Sequence, residues 1–337
     1  MSGLRTIVIG FGQIADGLRH DARMAEYFSY ATHAQVLDAH PGFDWLGVVD
    51  PSDAALDAAK DWNVRHIGAD IASVAEAVVP EVAVITVPPG ARAEIVHQLP
   101  SLKAVMVEKP LGSGDENGEA FVELCRERNV VMQVNFWRRG DKLYRSLASR
   151  GLAEKVGRPQ AVFATYGNGL LNNGCHLVDF IRMLIGEVET VQALDEARLA
   201  EGVPIAGDHD VPFALAMASG VIATVQPLDF RRYREVGLDI WGEHGRLALY
   251  QESLGVFHYP LTDTRSLENE MEIASDQPQV LEPTAGTALY NLYDNLAQAI
   301  MGKAEILSSA DNALKTERIL DAILASSDGG GKRRYVQ

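Results

Sequence analysis

The sequence predicts an α/β chain in two parts. Residues 1–134 read as a doubly wound parallel sheet, and residues 135–337 as an α+β domain built on a large, mostly antiparallel sheet. Three observations carry this. Short apolar runs alternate with helical stretches up to about residue 134. The first apolar run, Thr6 to Ile9, ends directly in Gly10-Phe11-Gly12. Beyond residue 134 the apolar runs lengthen and are joined by tight turns.

Thr6 to Ile9, a threonine followed by three β-branched apolar residues, reads as a buried parallel strand. A helical stretch follows with interruptions as far as His40, where Pro41-Gly42 stop it. "FDWLGVVD" is the second strand and closes on Asp50. "PSDAALDAAKDW" opens with Pro and Ser and continues as an alanine-rich helix. The strands "EVAVITVPPG", "KAVMVEKP" and "VVMQVNF" come next, with the helices "ARAEIVHQL" and "GDENGEAFVELCRERN" between them. After that, "LYRSLASRG" reads as helix and "PQAVFATYG" as strand. "GCHLVDFIRMLIG" is an amphipathic helix with the stripe Leu177, Phe180, Ile181 and Leu184. Two hairpins turn at Ser219-Gly220 and at Glu243 to Gly245. Helices over about Thr287 to Met301 and Asn312 to Ser326 close the chain.

A chain of 337 residues fits two cores better than one, and 47% apolar with 23% charged residues is an ordinary globular balance. The formal charge of −16 argues against nucleic acid as a partner. Any anionic ligand must therefore be held by local donors against the global field. Two cysteines, Cys125 and Cys175, make no disulfide framework and fit a reduced, cytoplasmic setting. The apolar run at the N-terminus is too short for a signal peptide or a membrane span, so no membrane partner is expected.

Gly10-x-Gly12-x-x-Ala15 follows the first strand, where a dinucleotide-binding fingerprint belongs. The first glycine allows a tight turn, the second lets backbone approach a pyrophosphate, and the small third residue lets a helix pack on the strand. A helix opening there would offer free N–H groups to the phosphates. A glycine turn in some other α/β domain is the competing reading. Asp50 at the end of the second strand strengthens the first reading, because an acid there takes the ribose hydroxyls. It also favours NAD over NADP, since it repels a 2′-phosphate. Asp50 lies 35 positions after Ala15, more than the spacing of about 20 expected of the motif, so a segment around "HDARMAEYFSYAT" reads as inserted.

"KAVMVEKPLG" raises the central functional question. A charged pair at the end of a strand is either its solvated tip or a lysine held at the rim of a sheet. Taken together, Gly10 to Ala15, Ile85-Thr86-Val87-Pro88-Pro89, Glu108-Lys109-Pro110, Asn135-Phe136-Trp137-Arg138, Gly174-Cys175-His176-Leu177-Val178-Asp179 and "SSADNALKTERILDAILAS" resemble the Gfo/Idh/MocA oxidoreductases. This resemblance spans nearly the whole chain. It implies an N-terminal Rossmann domain holding NAD through Gly10, Phe11, Gly12, Gln13, Ile14, Asp50, Thr86, Val87, Pro88, Glu108, Lys109 and Arg138. It further implies that Lys109 transfers a proton or orients substrate beside the nicotinamide. A free lysine amine is a poor base at neutral pH, and burial or a nearby cationic ring makes it a better one.

The same resemblance implies that His176 lines the substrate site and shares the acid–base work. Asp179, three residues on, stands on the same helical face as the imidazole. A histidine satisfied at a domain interface is the competing reading. The family commonly carries an aspartate four residues before this histidine, and here that position is Asn172, which cannot take a proton. The Asn172-Asn173-Gly174-Cys175-His176 form resembles the branch acting on sugars and nucleotide-linked sugars, with Asn172, Asn173, Asp179 and Arg138 on the substrate. In "DFRRYRE", the three arginines Arg231, Arg232 and Arg234 lie around Tyr233 and form either an anion clamp, with Arg231 and Tyr233 on the substrate, or a solvated strand end. "GDHDVP" at 207 to 212 reads as a polar loop and no metal is expected.

The expected activity is NAD-dependent oxidation or reduction at a secondary hydroxyl or keto carbon of a sugar-type molecule. Two alternatives stay open: a glycosidase that recycles its NAD, and a sensing protein that binds NAD and sugar without turnover. The resemblance also implies a homodimer or homotetramer paired through the C-terminal sheet.

Overall fold

The computed structural model of the chain describes residues 3–112, 118–262 and 271–336. It divides into two compact units. Met1–Asp141 and Ala285–Leu314 form the first, and Lys142–Thr284 and Lys315–Gln337 the second. The boundary expected near residue 134 falls at Asp141 instead, and a late segment returns to the first unit.

In the first unit, strands β1 (Leu4–Ile9), β2 (Phe43–Val49), β3 (His66–Gly68), β4 (Val82–Ile85), β5 (Ala104–Val107) and β6 (Val131–Val134) form a six-stranded parallel sheet. Their order is β3-β2-β1-β4-β5-β6, so the direction of winding reverses between β1 and β4. Ligands of such sheets lie outside the carboxyl ends of the strands at that reversal. β4 and β5 are apolar throughout, the pattern of strands covered on both faces. All four residues of β4 and of β5 are buried.

In its first segment this unit carries the helices α1 (Ala22–Tyr27), α2 (His33–Ala39), α3 (Asp53–Ala59), α4 (Ile71–Val78), α5 (Arg92–Gln98) and α6 (Gly118–Glu127). The "GDEN" stretch expected to open α6 lies outside the described residues. No α-helix opens at the glycine motif. A turn carries Gly12 to Asp16, followed by one 3-10 turn over Gly17–His20. Two new N-caps divide the remaining stretch: the Asp21 side chain accepts from Met24 N–H, and Thr32 forms a capping box with Gln35. Each cap satisfies the first free donors of a fresh helix and so restarts the chain in a new direction.

The late helix Ala288–Ile300 supplies Leu289, Leu292, Tyr293, Leu296 and Ala297 to the core formed by Val8, Trp45, Val84 and Met106. A buried amide network secures it. Gln133 of β6 donates to Leu292 O at 2.9 Å and to Asn295 Oδ1 at 3.1 Å, and accepts from Ser308 N–H at 3.0 Å.

The second unit is built on a ten-stranded sheet. Its pairings are antiparallel except between Pro159–Gly167 and Ile222–Leu228, which run parallel. Both expected hairpins are present, with Ile222–Leu228 following Phe213–Met217 and Gly245–Tyr250 following Gly237–Gly242. The Cys175–Ile185 helix buries Leu177, Phe180, Ile181 and Leu184. Among the described residues no helix is long and apolar enough to cross a membrane.

Candidate functional site: a dinucleotide crevice and a histidine helix

The glycine loop hangs from the end of β1. Gly10 N–H donates to Val49 O at 2.8 Å, and Thr86 N–H donates to Ile9 O at 3.0 Å. Gly10 has φ +86°, and a Cβ there would lie 2.8 Å from Thr86 Oγ1. Both the backbone conformation and the close approach of the loop after β4 require glycine. Gly12 is the opposite case: a Cβ would meet nothing within 4 Å among the described residues. The space left over an exposed loop at the winding reversal is what a pyrophosphate needs.

Asp50 accepts Phe11 N–H on Oδ2 at 2.6 Å and Ser52 N–H on Oδ1 at 2.8 Å. A carboxylate oxygen has lone pairs beyond one such bond, so ribose hydroxyls still find acceptors there. Phe11 itself is core. Its ring is buried 6.0 Å from Trp45, and only its backbone serves the loop. Gln13 is exposed and Ile14 half-buried, while Ala15 is fully buried where the chain passes the sheet.

Arg92, the first residue of α5, is buried and was not anticipated from the sequence. It donates Nε–H to Val87 O at 3.0 Å and Nη1–H to Pro110 O at 2.6 Å. The turn Thr86-Val87-Pro88 and the Glu108-Lys109-Pro110 segment are thus tied to one guanidinium. The Lys109–Pro110 peptide is cis.

Glu108 follows β5 with 12% of its side chain exposed. Its Oε1 accepts from Asn135 Nδ2 at 2.6 Å and meets His33 Nε2 at 2.9 Å. Burial alone would raise its pKa, but His33, Asn135 and the charge of Lys109 outweigh it and hold the carboxyl below its ordinary value. Arg138 is buried, with its guanidinium 4.5 Å from the Trp137 ring.

The second unit holds His176, half-buried on the Cys175–Ile185 helix. Asp179 is buried 3.8 Å from Arg182 and accepts from Thr316 Oγ1 at 3.4 Å, so an arginine and a threonine share the carboxylate expected to serve His176. Asn172 is held at both ends: its Nδ2 donates to the Asn168 backbone O at 3.1 Å, and its backbone N–H donates to the Asp208 carboxylate Oδ2 at 2.9 Å. Asp208 also accepts Leu171 N–H and His209 N–H, so this acid of the "GDHDVP" loop is spent on backbone donors at the head of the helix. Asn173 is half-buried beside it. Among the described residues no group of three or more His, Cys, Asp or Glu side chains is arranged to hold a metal ion.

The "DFRRYRE" turn is a solvated, ion-paired surface. Arg231 pairs with Asp229 at 2.9 Å and with Glu201, and Arg234 pairs with Glu252 at 2.9 Å. Tyr233 is exposed. Of the two readings of this turn, the ion pairs favour the solvated strand end, because acids within and beside the turn already pair with Arg231 and Arg234.

Residues 4–136 match the model of an oxidoreductase family with an NAD-binding Rossmann fold, and residues 145–248 match the GFO/IDH/MocA C-terminal domain. The chain belongs to the GFO/IDH/MocA oxidoreductase family. NAD is accordingly its cofactor, and the loop, Asp50 and the crevice described above fit that molecule. A comparison of the sequence with curated proteins gave no match. Among solved structures, the GFO/IDH/MocA fold of this chain is shared with the WlbA dehydrogenase from Bordetella pertussis, in complex with NADH and UDP-GlcNAcA. That match has 18% identity and TM-score 0.72, over 99% of each chain. A putative myo-inositol dehydrogenase from Sinorhizobium meliloti has 19% identity and TM-score 0.70, over 99% of this chain and 100% of that one. An oxidoreductase from Agrobacterium radiobacter, in complex with NAD+, L-tartaric acid and magnesium, has 16% identity and TM-score 0.73, over 99% and 98%.

Within this GFO/IDH/MocA chain, sequence reading missed His33, Arg92, Asn135 and Tyr293 as supports of the crevice. Asn135 had a signal, since it opens "NFWR" directly after β6. The other three had none: His33 and Tyr293 meet across segments far apart in the chain, and Arg92 works by bridging two separate turns.

Proposed function

We propose that the protein is an NAD-dependent dehydrogenase acting on a secondary hydroxyl or keto carbon of a sugar, sugar derivative or nucleotide sugar. The observation that carries this reading is the Glu108-Lys109 pair at the carboxyl end of β5, whose carboxylate is fixed by two buried donors. With Asp50 on one ribose, Glu108 and Lys109 at the end of β5 would hold the other half of the dinucleotide.

NAD supplies the hydride acceptor. The amine of Lys109 takes the hydroxyl proton as the alcohol is oxidised and returns it in the reverse direction. His176 shares that proton work. Asn172 and Asn173 offer amide groups to substrate hydroxyls without a charge of their own. Arg138 orients the substrate, and Asp179 steadies the histidine helix through Arg182 and Thr316. A polyhydroxylated substrate is supported by the neighbours of like fold, which carry UDP-GlcNAcA or are described as an inositol dehydrogenase. The reading includes a cytoplasmic enzyme that pairs through the outer face of its ten-stranded sheet, where Phe163, Ile222 and Trp241 are exposed.

The test is a titration with NADH and NADPH, followed by a screen of free and nucleotide-linked sugars for reduced nicotinamide. NADH preference, with turnover lost in Lys109→Ala, is the expected result. Cofactor binding with no turnover on any sugar would overturn it in favour of a sensor. Sugar cleavage without net reduction of NAD would overturn it in favour of a cofactor-recycling glycosidase.

A further inference from the structure

The segment that separates the glycine loop from Asp50 ends in α2, and the first residue of α2 is His33. Its backbone is set by the Thr32 cap, with Gln35 Oε1 accepting Ala31 N–H at 2.9 Å and Thr32 N–H at 3.1 Å. His33 is fully buried. Its Nδ1 lies 2.6 Å from the Tyr293 hydroxyl and its Nε2 lies 2.9 Å from Glu108 Oε1. Three segments distant in sequence thus converge on one carboxylate: His33 from α2, Tyr293 behind it from the Ala288–Ile300 helix, and Asn135 from the end of β6.

The directions of these bonds follow from the groups. Burial, and secondarily the charge of Glu108, push the Tyr293 phenol well above its ordinary value, so it keeps its proton and is available as a donor. In the tautomer in which His33 Nδ1 accepts from Tyr293, His33 Nε2–H donates to Glu108. Asn135 presents its NH2 to the same oxygen, while its own Oδ1 is buried with no hydrogen-bond partner among the described residues. Turning that amide would set two oxygens together, so the donor orientation is fixed. Two N–H donors on one carboxyl oxygen favour its ionised form, in line with the lowered carboxyl of Glu108.

We propose that His33 and Tyr293 are positioning residues for Glu108, holding one fixed negative charge at the carboxyl end of β5 that favours oxidised, cationic NAD+ over NADH. This rests on the reading that Glu108 and Lys109 at the end of β5 hold the nicotinamide half of the cofactor. The charge acts on the difference between the two cofactor forms, because they differ by one positive charge on the ring. At separations of several ångströms in a partly screened crevice, a unit charge changes that ratio on the order of tenfold.

The test uses the full chain and measures Kd for NAD+ and for NADH by calorimetric titration near neutral pH. Thermal unfolding checks that each variant is folded. In Glu108→Gln, close in shape to the native residue, the ratio Kd(NAD+)/Kd(NADH) rises about tenfold. In His33→Leu the carboxylate loses a donor in a buried setting and takes up a proton, so the ratio moves the same way. Tyr293→Phe gives a smaller rise, and His33→Gln, whose amide can donate to the same oxygen, restores the ratio to within about twofold of wild type. An unchanged ratio in folded Glu108→Gln and His33→Leu overturns the inference. Equal weakening of both forms overturns it too, since a merely structural role gives that result. Wild-type protein that binds neither form would instead sink the dehydrogenase reading itself.

Discussion

Phe11 donates its backbone N–H to the Asp50 carboxylate at 2.6 Å, joining the glycine loop to the end of β2 across 39 positions of sequence. The long segment between them therefore leaves fingerprint and acid adjacent, as a shorter connection would. Asp50 has two jobs, since it holds the loop in shape and offers acceptors to a ribose.

Asp50→Ala removes both. NADH affinity is expected to fall at least about tenfold, by fluorescence titration, because a charge-assisted pair of hydrogen bonds is lost. NADPH affinity falls less, since repulsion of the 2′-phosphate is relieved at the same time. Equal losses for the two cofactors would remove Asp50 as the source of NAD preference.

Gln133→Ala is expected to destabilise the protein by about 2–4 kcal/mol in denaturant unfolding. The substitution leaves Ser308 N–H and Leu292 O of the late segment without their bonds to Gln133 in a buried setting. A change under about 0.5 kcal/mol would show that water replaces the amide.

Stability is expected to fall as the medium becomes acidic, partly through Glu81. Its hydrogen bond from Lys103 at 2.7 Å, with help from Arg5, outweighs burial and holds its carboxyl below the ordinary value. A carboxyl depressed in the folded state stabilises above its unfolded pKa, and that contribution is lost as pH falls through the folded value. Thermal midpoints recorded from neutral pH downwards should therefore drop less steeply in Glu81→Gln than in wild type. Parallel curves would remove Glu81 from the acid response.

Arg231→Ala is expected to change stability by no more than about 0.5 kcal/mol, because its ion pairs are exposed. The KM of whichever sugar substrate is found should be unchanged within about twofold. A KM raised tenfold or more would restore the anion clamp.

The chain carried much of this locally. Unbroken apolar runs marked the central strands, because a strand covered on both faces has no polar side to show. Gly10 was legible because φ +86° favours glycine, and the hairpins because their turns leave glycine and polar signatures. The glycine motif, Asp50 and Glu108-Lys109-Pro110 named the cofactor and family for the same reason: each works through residues close in sequence.

The tertiary structure decided what distant segments do to one another. No local pattern announces that residues 285–314 pack with the first unit, since an amphipathic helix shows that it must be buried but not against what. Nor could spacing tell that caps at Asp21 and Thr32 would break the helix expected after Gly12, or that Arg231 would meet Glu201. The same holds for Glu108. Its sequence gives a carboxylate before a lysine, but His33 and Asn135, 75 and 27 positions away, make it a fixed charge. Desolvation and hydrogen bonding set the state of a buried acid, and both exist only once the chain has folded.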